Sequence, residues 1–204
     1  LGAMGPDALV LRHRSDGAAA EVAALAGCPV VNAGDGTNEH PTQALLDALT
    51  LVQQFGSLEG RTVAILGDIR HSRVARSNAR LLPRLGATVR LAGPPMLMPE
   101  GADGLDIDQA IAGADAVMML RVQRERLDEE LGDAPGEYLR RYGLTVERLG
   151  RAKPDAVVLH PGPMNRGVEI ADEVADLAGR SLILRQVANG VAMRMAVLEM
   201  VVAS

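Results

Sequence analysis

The sequence predicts an α/β fold built on a parallel sheet with helices on both faces. Short apolar runs have the length of buried strands, and stretches with helical apolar spacing separate most of them. This alternation is typical of parallel sheets, because their crossover helices cover both faces. The predicted strands are 8–12, 29–33, 62–67, 88–93, 115–120, 156–160 and 182–186.

Three segments, 40–56, 73–86 and about 188–202, have the spacing of amphipathic helices. The apolar stripes are Ala44, Leu45, Ala48, Leu49 and Val52 in the first, Val74, Leu81, Leu82 and Leu85 in the second, and Val191, Met195, Leu198 and Val202 in the third. We expect the apolar stripe of the third helix to pack against another surface. Gly56 and Gly60 predict a boundary after the first helix.

Composition excludes several classes of function. The net charge is −5 with acids and bases interspersed, Trp is absent and Phe occurs once, so neither a basic surface nor stacking platforms for nucleic acid are predicted. No apolar segment is long enough to cross a bilayer, and the first residues lack the pattern of a signal peptide. We therefore expect a cytoplasmic protein with no membrane partner. Cys28 is the only cysteine, which excludes an intramolecular disulfide.

Metal and cofactor chemistry is also disfavoured. The four histidines, His13, His40, His71 and His160, lack the spacing of a zinc site, and we predict no metal. The strand and helix in "AILGDIRHSRVARSN" (64–78) carry only Gly67 where a dinucleotide site needs three glycines. No nucleophile elbow is present. We expect no cofactor and no covalent intermediate.

The segment "NAGDGTNEHPTQALLDALT" (32–50) contains the first candidate functional residues. If a helix begins near Pro41, His40 lies at its start and Gln43 lies one turn later on the same side. An imidazole and a carboxamide beside free N–H groups can hold an anion or a polarised carbonyl group. The same residues also describe an ordinary loop and helix cap, and that alternative stays open.

Arginines follow several of the predicted strands. Ligands of open parallel sheets bind at the carboxyl ends of strands, where Arg12, Arg73 and Arg121 are predicted to lie. A guanidinium matches a carboxylate in geometry and charge, although each of these arginines could equally be a solvated surface charge. Gln123 shares a face with Arg121 at extended spacing.

The segment "LHPGPMNRGVEI" (159–170) predicts a third functional turn. Two prolines flank Gly162 and favour a rigid, extended loop with carbonyl groups free to accept hydrogen bonds from an amine. His160 is ambiguous, because a histidine at a strand end is more often structural than catalytic. Arginines, one histidine, amides and backbone groups together favour binding of small anions and stabilisation of developing charge.

Four segments, in this order, resemble the aspartate/ornithine carbamoyltransferase family, and within it the aspartate carbamoyltransferase catalytic chain: "NAGDGTNEHPTQALLDALT", "LGDIRHSRVARSN", "LRVQRER" and "LHPGPMNRGVEI". The resemblance implies a Rossmann-like aspartate-binding domain plus the C-terminal remnant of a second α/β domain. It implies transfer of a carbamoyl group from carbamoyl phosphate to L-aspartate in pyrimidine (UMP) synthesis. It also implies a homotrimer that can associate with regulatory or dihydroorotase chains.

The resemblance assigns the carbamoyl side of the site. It makes Arg12 and His40 catalytic, with Arg12 a ligand of carbamoyl phosphate and His40 the group that polarises the carbamoyl carbonyl. Gln43 would hold the carbamoyl nitrogen. The backbone of Gly162 and Pro163 would contact the carbamoyl end.

On the aspartate side, the resemblance implies that Arg73 and Arg121 bind the two carboxylates and that Gln123 holds Arg121 in place. Ornithine carbamoyltransferases are the nearest alternative. They usually carry His-Cys-Leu-Pro where this chain has "HPGP" (160–163), and Cys in place of Thr42. Arg121 on the amino-acid side fits a second carboxylate better than an ammonium group.

The sequence departs from the family in one respect. The Ser-Thr-Arg-Thr phosphate turn and the mobile lysine loop of the family do not occur in it. We expect residues 1–39 to be a remnant of the carbamoyl-phosphate domain, 40–56 an interdomain helix, 57–187 the aspartate-binding domain and 188–204 a helix returning to the first domain. We expect this chain alone to be inactive and to expose apolar surface on its 40–56 and 188–202 helices. A non-catalytic aspartate-binding or assembly module is the alternative.

Overall fold

The computed structural model of the protein describes residues 2–101, 106–122 and 136–203. Its strands form two parallel sheets. The smaller sheet pairs β1 (Leu9–His13) with β2 (Val30–Asp35), and the larger contains β3 (Thr62–Leu66), β4 (Thr88–Ala92), β5 (Ala116–Met119) and β6 (Val157–Leu159) in the order β4-β3-β5-β6. The predicted parallel α/β fold is confirmed.

Helices connect and cover the strands. In chain order they are α1 (Ala18–Ala23), α2 (Pro41–Phe55), α3 (Arg73–Leu81), α4 (Ile107–Ile111), α5 (Glu137–Tyr142), α6 (Val146–Leu149), α7 (Asp172–Ala175) and α8 (Ile183–Val202). A 3₁₀ turn, Leu82–Leu85, continues α3. No helix among residues 2–101, 106–122 and 136–203 is long and apolar enough to cross a membrane.

The core lies on both faces of the larger sheet. On one face, Leu66 and Met119 pack with α4, α6 and α7, and on the other, Ile65 and Met118 pack with α2 and α3. All of these side chains are fully buried. This double burial explains why the strands read as continuous apolar runs in the sequence.

The predicted strand at 182–186 is wrong. One bridge forms, between Ser181 and Val158, and the chain then turns into α8, where the amide of Gln186 donates to the carbonyl of Leu182 at 2.8 Å. Helix α8 therefore begins at Ile183 rather than near residue 188. A short apolar run fits either a strand or the first turn of a buried helix, and periodicity does not separate them.

The buried face of α2 differs from its predicted stripe. Val52 is 38 % exposed, whereas Gln43, Asp47 and Thr50 are buried. Helix α2 packs against both α3 and α8, and polar side chains on those helices pair with it. Hydrophobic periodicity does not detect a helix face that is buried through hydrogen bonds.

The predicted apolar side of α8 is exposed in the described structure. Val191 and Met195 are 64 % and 58 % exposed, and Leu198 and Val202 are also open to solvent. The opposite side of α8, with Ile183, Gln186 and Gly190, is buried. The expectation of exposed apolar surface on this helix is confirmed.

Candidate functional site

A cavity of about 410 Å³ lies where the carboxyl ends of β3 and β5 meet the loop that follows β2. Arg73 from the start of α3 and Arg121 from the segment after β5 both line it. Pro161 and Gly162 form part of its wall. The structure thus brings together three of the sequence-predicted site residues at the sheet edge where ligands of parallel sheets bind.

The loop from β2 to α2 is fixed by Asp35. The carboxylate of Asp35 accepts hydrogen bonds from the amides of Gly17 and Glu39 and from the side chains of Asn32 and Asn38, at 2.8–3.1 Å. Burial raises the pKa of Asp35, but these hydrogen bonds outweigh it and hold the pKa below its usual value. The Asp and Asn residues of this segment therefore build the turn that leads to His40.

His40 caps the N-terminus of α2, directly before Pro41, as the sequence predicts. Its backbone amide donates to Ser77 Oγ at 2.9 Å, which ties the start of α2 to α3. Burial, and then the positive charges of Arg73, Arg12 and Arg194, lower the pKa of His40 to about 4. The imidazole is therefore neutral at pH 7 and offers one N–H donor without being an acid.

Arg73 connects α3 to the same loop. Its Nη1 donates to the carbonyl oxygen of Gly36 at 3.1 Å, and its guanidinium lies against Gly34. Gly34 has a φ of +117°, and a Cβ there would lie 2.9 Å from Arg73 Nε. Ser72 accepts a hydrogen bond from the amide of Ala75 and caps α3 immediately before Arg73. The backbone of the β2–α2 loop thus determines where the guanidinium points.

Arg12 and Arg121 are both exposed. Arg12 ends close enough to Arg73 and His40 to lower the pKa of each. Arg14, which sequence reasoning missed, lies two residues beyond Arg12 and lines the 410 Å³ cavity. Gln123 lies outside the described residues, so its predicted contact with Arg121 stays a prediction.

The loop after β6 is shaped by His160. Its Nδ1 accepts a hydrogen bond from the amide of Gly162 at 2.9 Å, which leaves the ring proton on Nε2 to donate to Glu169 Oε1 at 3.2 Å. The amide of Asn165 also donates to Glu169 Oε1. His160 and Glu169 are fully buried, and the resulting turn presents Gly162 and Pro163 at the surface. The geometry gives His160 a structural task.

A second cavity of about 210 Å³ is also lined by Pro161 and Gly162. Gln43 and Arg194 both line it. Arg194 Nη1 donates to the carbonyl of Gly190 at 3.0 Å, and a Cβ at position 190 would lie 2.5 Å from that nitrogen. Sequence reasoning missed Arg194 because α8 was interpreted only as a packing helix, and the signal available was a glycine inside that helix.

The two cavities share Pro161 and Gly162, and their polar lining includes arginines, the carboxamides of Gln43 and Gln186, and the carboxylate of Asp68. The neutral imidazole of His40 lies close to Arg73, Arg12 and Arg194. Such an arrangement can bind a small dianion and can stabilise negative charge that develops on a neighbouring oxygen. In the described ranges, no group of three His, Cys, Asp or Glu side chains is placed to hold a metal ion.

Comparisons with known protein families agree on one family. The model for the Asp/Orn binding domain of aspartate/ornithine carbamoyltransferase matches residues 59–201, and the model for the carbamoyl-P binding domain matches residues 1–53. The aspartate carbamoyltransferase catalytic subunit of Granulibacter bethesdensis is 57 % identical over 98 % of this chain, and that of Sorangium cellulosum is 59 % identical over 97 %. The chain spans 65 % and 63 % of the lengths of these two relatives.

Solved structures show the same fold. Ornithine carbamoyltransferase from Pyrococcus furiosus superimposes with a TM-score of 0.84 at 26 % identity, covering 97 % of this chain and 67 % of that one. Aspartate transcarbamoylase from Trypanosoma cruzi, in complex with N-(phosphonacetyl)-L-aspartic acid, gives a TM-score of 0.80 at 30 % identity, covering 96 % and 66 %. Because a family model covers well over half of the chain and the curated relatives exceed half identity, the chain belongs to the aspartate/ornithine carbamoyltransferase family.

Proposed function

We propose that the protein is an aspartate carbamoyltransferase, which transfers the carbamoyl group of carbamoyl phosphate to the amine of L-aspartate. The observation that carries the proposal is the convergence of Arg73 and Arg121 on one 410 Å³ cavity whose Pro161–Gly162 wall also borders the cavity of Gln43. Two guanidinium groups match the two carboxylates of aspartate. The shared wall would place the aspartate amine next to the carbamoyl carbon.

The chemistry needs no covalent enzyme intermediate. The aspartate amine attacks the carbamoyl carbon and negative charge develops on the carbonyl oxygen. The bond from carbon to the phosphate oxygen then breaks, and the departing phosphate takes up the proton that the amine loses. His40, neutral and at the N-terminus of α2, donates its N–H to that oxygen. Arg12 binds the phosphate side, Gln43 the carbamoyl nitrogen, and the backbone of Gly162 and Pro163 the carbamoyl end. Arg73 and Arg121 bind the two carboxylates of aspartate, and Gln123 holds Arg121 in place.

The identity of the second substrate rests on charge and on relatedness. Arg121 lines the larger cavity together with Arg73 and Arg14, and a cationic ornithine side chain would meet a positive field there. The curated relatives at 54–59 % identity are named as aspartate enzymes, and the solved structures of aspartate and ornithine enzymes are 30–32 % and 26–30 % identical to this chain. Aspartate is therefore the favoured acceptor.

The remaining parts of the proposal concern organisation. The division is 1–39 for the end of the carbamoyl-phosphate domain, 40–56 for an interdomain helix, 57–187 for the aspartate domain and 188–204 for the returning helix. The whole protein would act in the cytoplasm in pyrimidine synthesis, as a homotrimer, with regulatory or dihydroorotase chains as further partners. The names of the relatives support the reaction class.

The test measures carbamoyl aspartate formed by the purified protein at its natural length, with citrulline formation from ornithine as the matched control. Carbamoyl aspartate without citrulline supports the proposal. Citrulline formation would reassign the enzyme to ornithine. Binding of aspartate to a protein that forms neither product would leave a binding module of the same family.

A further inference from the structure

Asp47 is a fully buried carboxylate between three helices. It lies on α2, and its Oδ1 accepts hydrogen bonds from Gln43 Nε2 at 2.9 Å and from Gln186 Nε2 of α8 at 2.7 Å. Its Oδ2 accepts one from Asn78 Nδ2 of α3 at 2.8 Å. Three side-chain amides therefore direct their NH₂ groups at a single acid.

This geometry fixes the orientation of Gln43. An ionised carboxylate accepts hydrogen bonds and donates none, so a carboxamide beside it must present its NH₂ and turn its oxygen away. Gln43 also lines the 210 Å³ cavity. The side of the amide that is free for a ligand in that cavity is accordingly Oε1, which is an acceptor.

We propose that Asp47 is a positioning residue that holds Gln43 with its side-chain oxygen toward the substrate. The site therefore selects a transferable group that carries –NH₂ over a group of the same shape that carries –CH₃. The proposal rests on the proposed carbamoyl transfer and deepens it. It assigns to Asp47 the discrimination between carbamoyl phosphate and acetyl phosphate, which differ only in that group.

A second connection joins Asp47 to the opposite wall of the cavity. The NH₂ of Gln186 donates a hydrogen bond to Asp47, and Gln186 Oε1 accepts one from the backbone amide of His160 at 2.9 Å. His160 Nδ1 in turn accepts a hydrogen bond from the backbone amide of Gly162. The carboxylate thus sets the direction of Gln43 on one wall and supports the turn at Gly162 on the other.

Burial of this carboxylate is costly, which favours a functional reason for it. Burial raises the pKa of Asp47 to about 6, against the lowering effects of the hydrogen bonds from Asn78, Gln186 and Gln43 and of the positive charge of Arg194. Replacing a whole buried polar network by apolar residues of similar volume is often neutral for stability or stabilising. An apolar residue, however, would leave the amide of Gln43 without a fixed direction.

The test compares the kcat/KM ratio for carbamoyl phosphate over acetyl phosphate in wild-type protein of natural length and in Asp47→Leu, Asp47→Asn and Gln43→Leu. Asp47→Leu removes the acceptor, and we expect the ratio to fall at least tenfold, about the worth of one hydrogen bond. Gln43→Leu should lower the kcat/KM ratio by a similar factor. The double variant, with both Asp47→Leu and Gln43→Leu, should lower the ratio no further, because both changes remove the same interaction. Asp47→Asn keeps an oxygen for Gln43 and should retain most of the ratio.

The matched control is Asp115→Asn. Asp115 is 2 % exposed and accepts hydrogen bonds from Arg61, Lys153 and the amide of Thr62, directly before β5 and so at the opposite end of the sheet from the cavities. Its substitution should reduce stability and leave the ratio unchanged. An unchanged ratio in Asp47→Leu, or fully additive effects in the double variant, would overturn the proposal.

A second measurement needs neither activity nor a variant. We expect the side-chain NH₂ protons of Gln43 to exchange with water much more slowly in wild-type protein than those of Gln53 and Gln54, which lie exposed on the same helix. Equal exchange rates would show that Asp47 does not hold Gln43. If the wild-type protein is inactive but the NH₂ protons of Gln43 exchange slowly, the proposed function is rejected and the positioning of Gln43 by Asp47 is not.

Discussion

The guanidinium of Arg73 lies against Gly34, so close that a Cβ on residue 34 would come within 2.9 Å of Arg73 Nε. The contact joins the end of β2 to the start of α3, and therefore the smaller sheet to the larger one. Gly34 in β2 thus determines the position of Arg73, which is proposed to bind a carboxylate of the substrate aspartate. We expect Gly34→Ala to raise the KM for aspartate about tenfold with a smaller change in kcat, since a displaced guanidinium loses its paired hydrogen bonds.

The control for this change is Gly179→Ala. Gly179 also has a positive φ, +74°, but a Cβ there would meet nothing within 4 Å. Gly179→Ala therefore introduces the same kind of backbone strain as Gly34→Ala but adds no contact in the site. Equal KM values for aspartate in the two variants would contradict the role of the Gly34 contact.

His40→Ala should slow turnover strongly. Loss of one preorganised donor to a developing oxyanion typically costs about 3 kcal/mol of transition-state stabilisation, or roughly a hundredfold in kcat. Steady-state kinetics with saturating carbamoyl phosphate and aspartate measures the effect. Unchanged turnover would remove His40 from the reaction.

The titration of His40 reports on its surroundings. Its pKa is lowered from 6.5 to about 4 by burial and then by Arg73, Arg12 and Arg194. NMR of the ring protons should therefore show no titration of His40 near pH 6.5. Arg73→Gln should raise the midpoint and Arg151→Gln should not, because Arg151 pairs with Asp108 and is not among the charges that shift His40. A midpoint near 6.5 in the wild-type protein would contradict the neutral donor.

The same shift affects stability with a definite sign. Between pH 6.5 and about 4 the unfolded chain binds a proton at His40 and the folded chain does not. His40 therefore makes the folded state less stable as the pH falls through that range. His40→Ala should weaken this dependence, which urea unfolding at a series of pH values measures.

Asp35→Ala should destabilise the protein at pH 7. The carboxylate of Asp35 accepts four hydrogen bonds, and hydrogen bonds to charged groups contribute roughly 2 kcal/mol each before relaxation. Its lowered pKa means that this contribution is present above pH 3.8 and is lost as the pH falls through the folded-state pKa. The difference in free energy of unfolding between wild-type protein and the variant should consequently shrink toward acid, and a constant difference would contradict the assignment.

Six of the seven strands predicted from the sequence are present, as are helix α2 beginning at Pro41 and the turn that positions Arg73. These features depend on local signals, namely apolar runs, a proline at the first helical position and an arginine after a short polar turn. The buried polar face of α2 was not predictable in this way, because Asp47 becomes a reasonable core residue only when Asn78 and Gln186 approach it from other helices. Arg194 was missed for a similar reason, since it reaches the site by tertiary packing.

Gly190 makes α8 a poor target for stabilisation by helix propensity. Replacing a glycine inside a helix by alanine ordinarily improves stability by roughly 1 kcal/mol, and a design program that scores only the helix would choose this position early. The added methyl group would lie 2.5 Å from Arg194 Nη1 and 3.4 Å from the side chain of Leu46. The arginine would have to leave the carbonyl of Gly190 and turn away from His40 and Gln43. Directed evolution for heat resistance should therefore leave this glycine unchanged whenever activity is also selected.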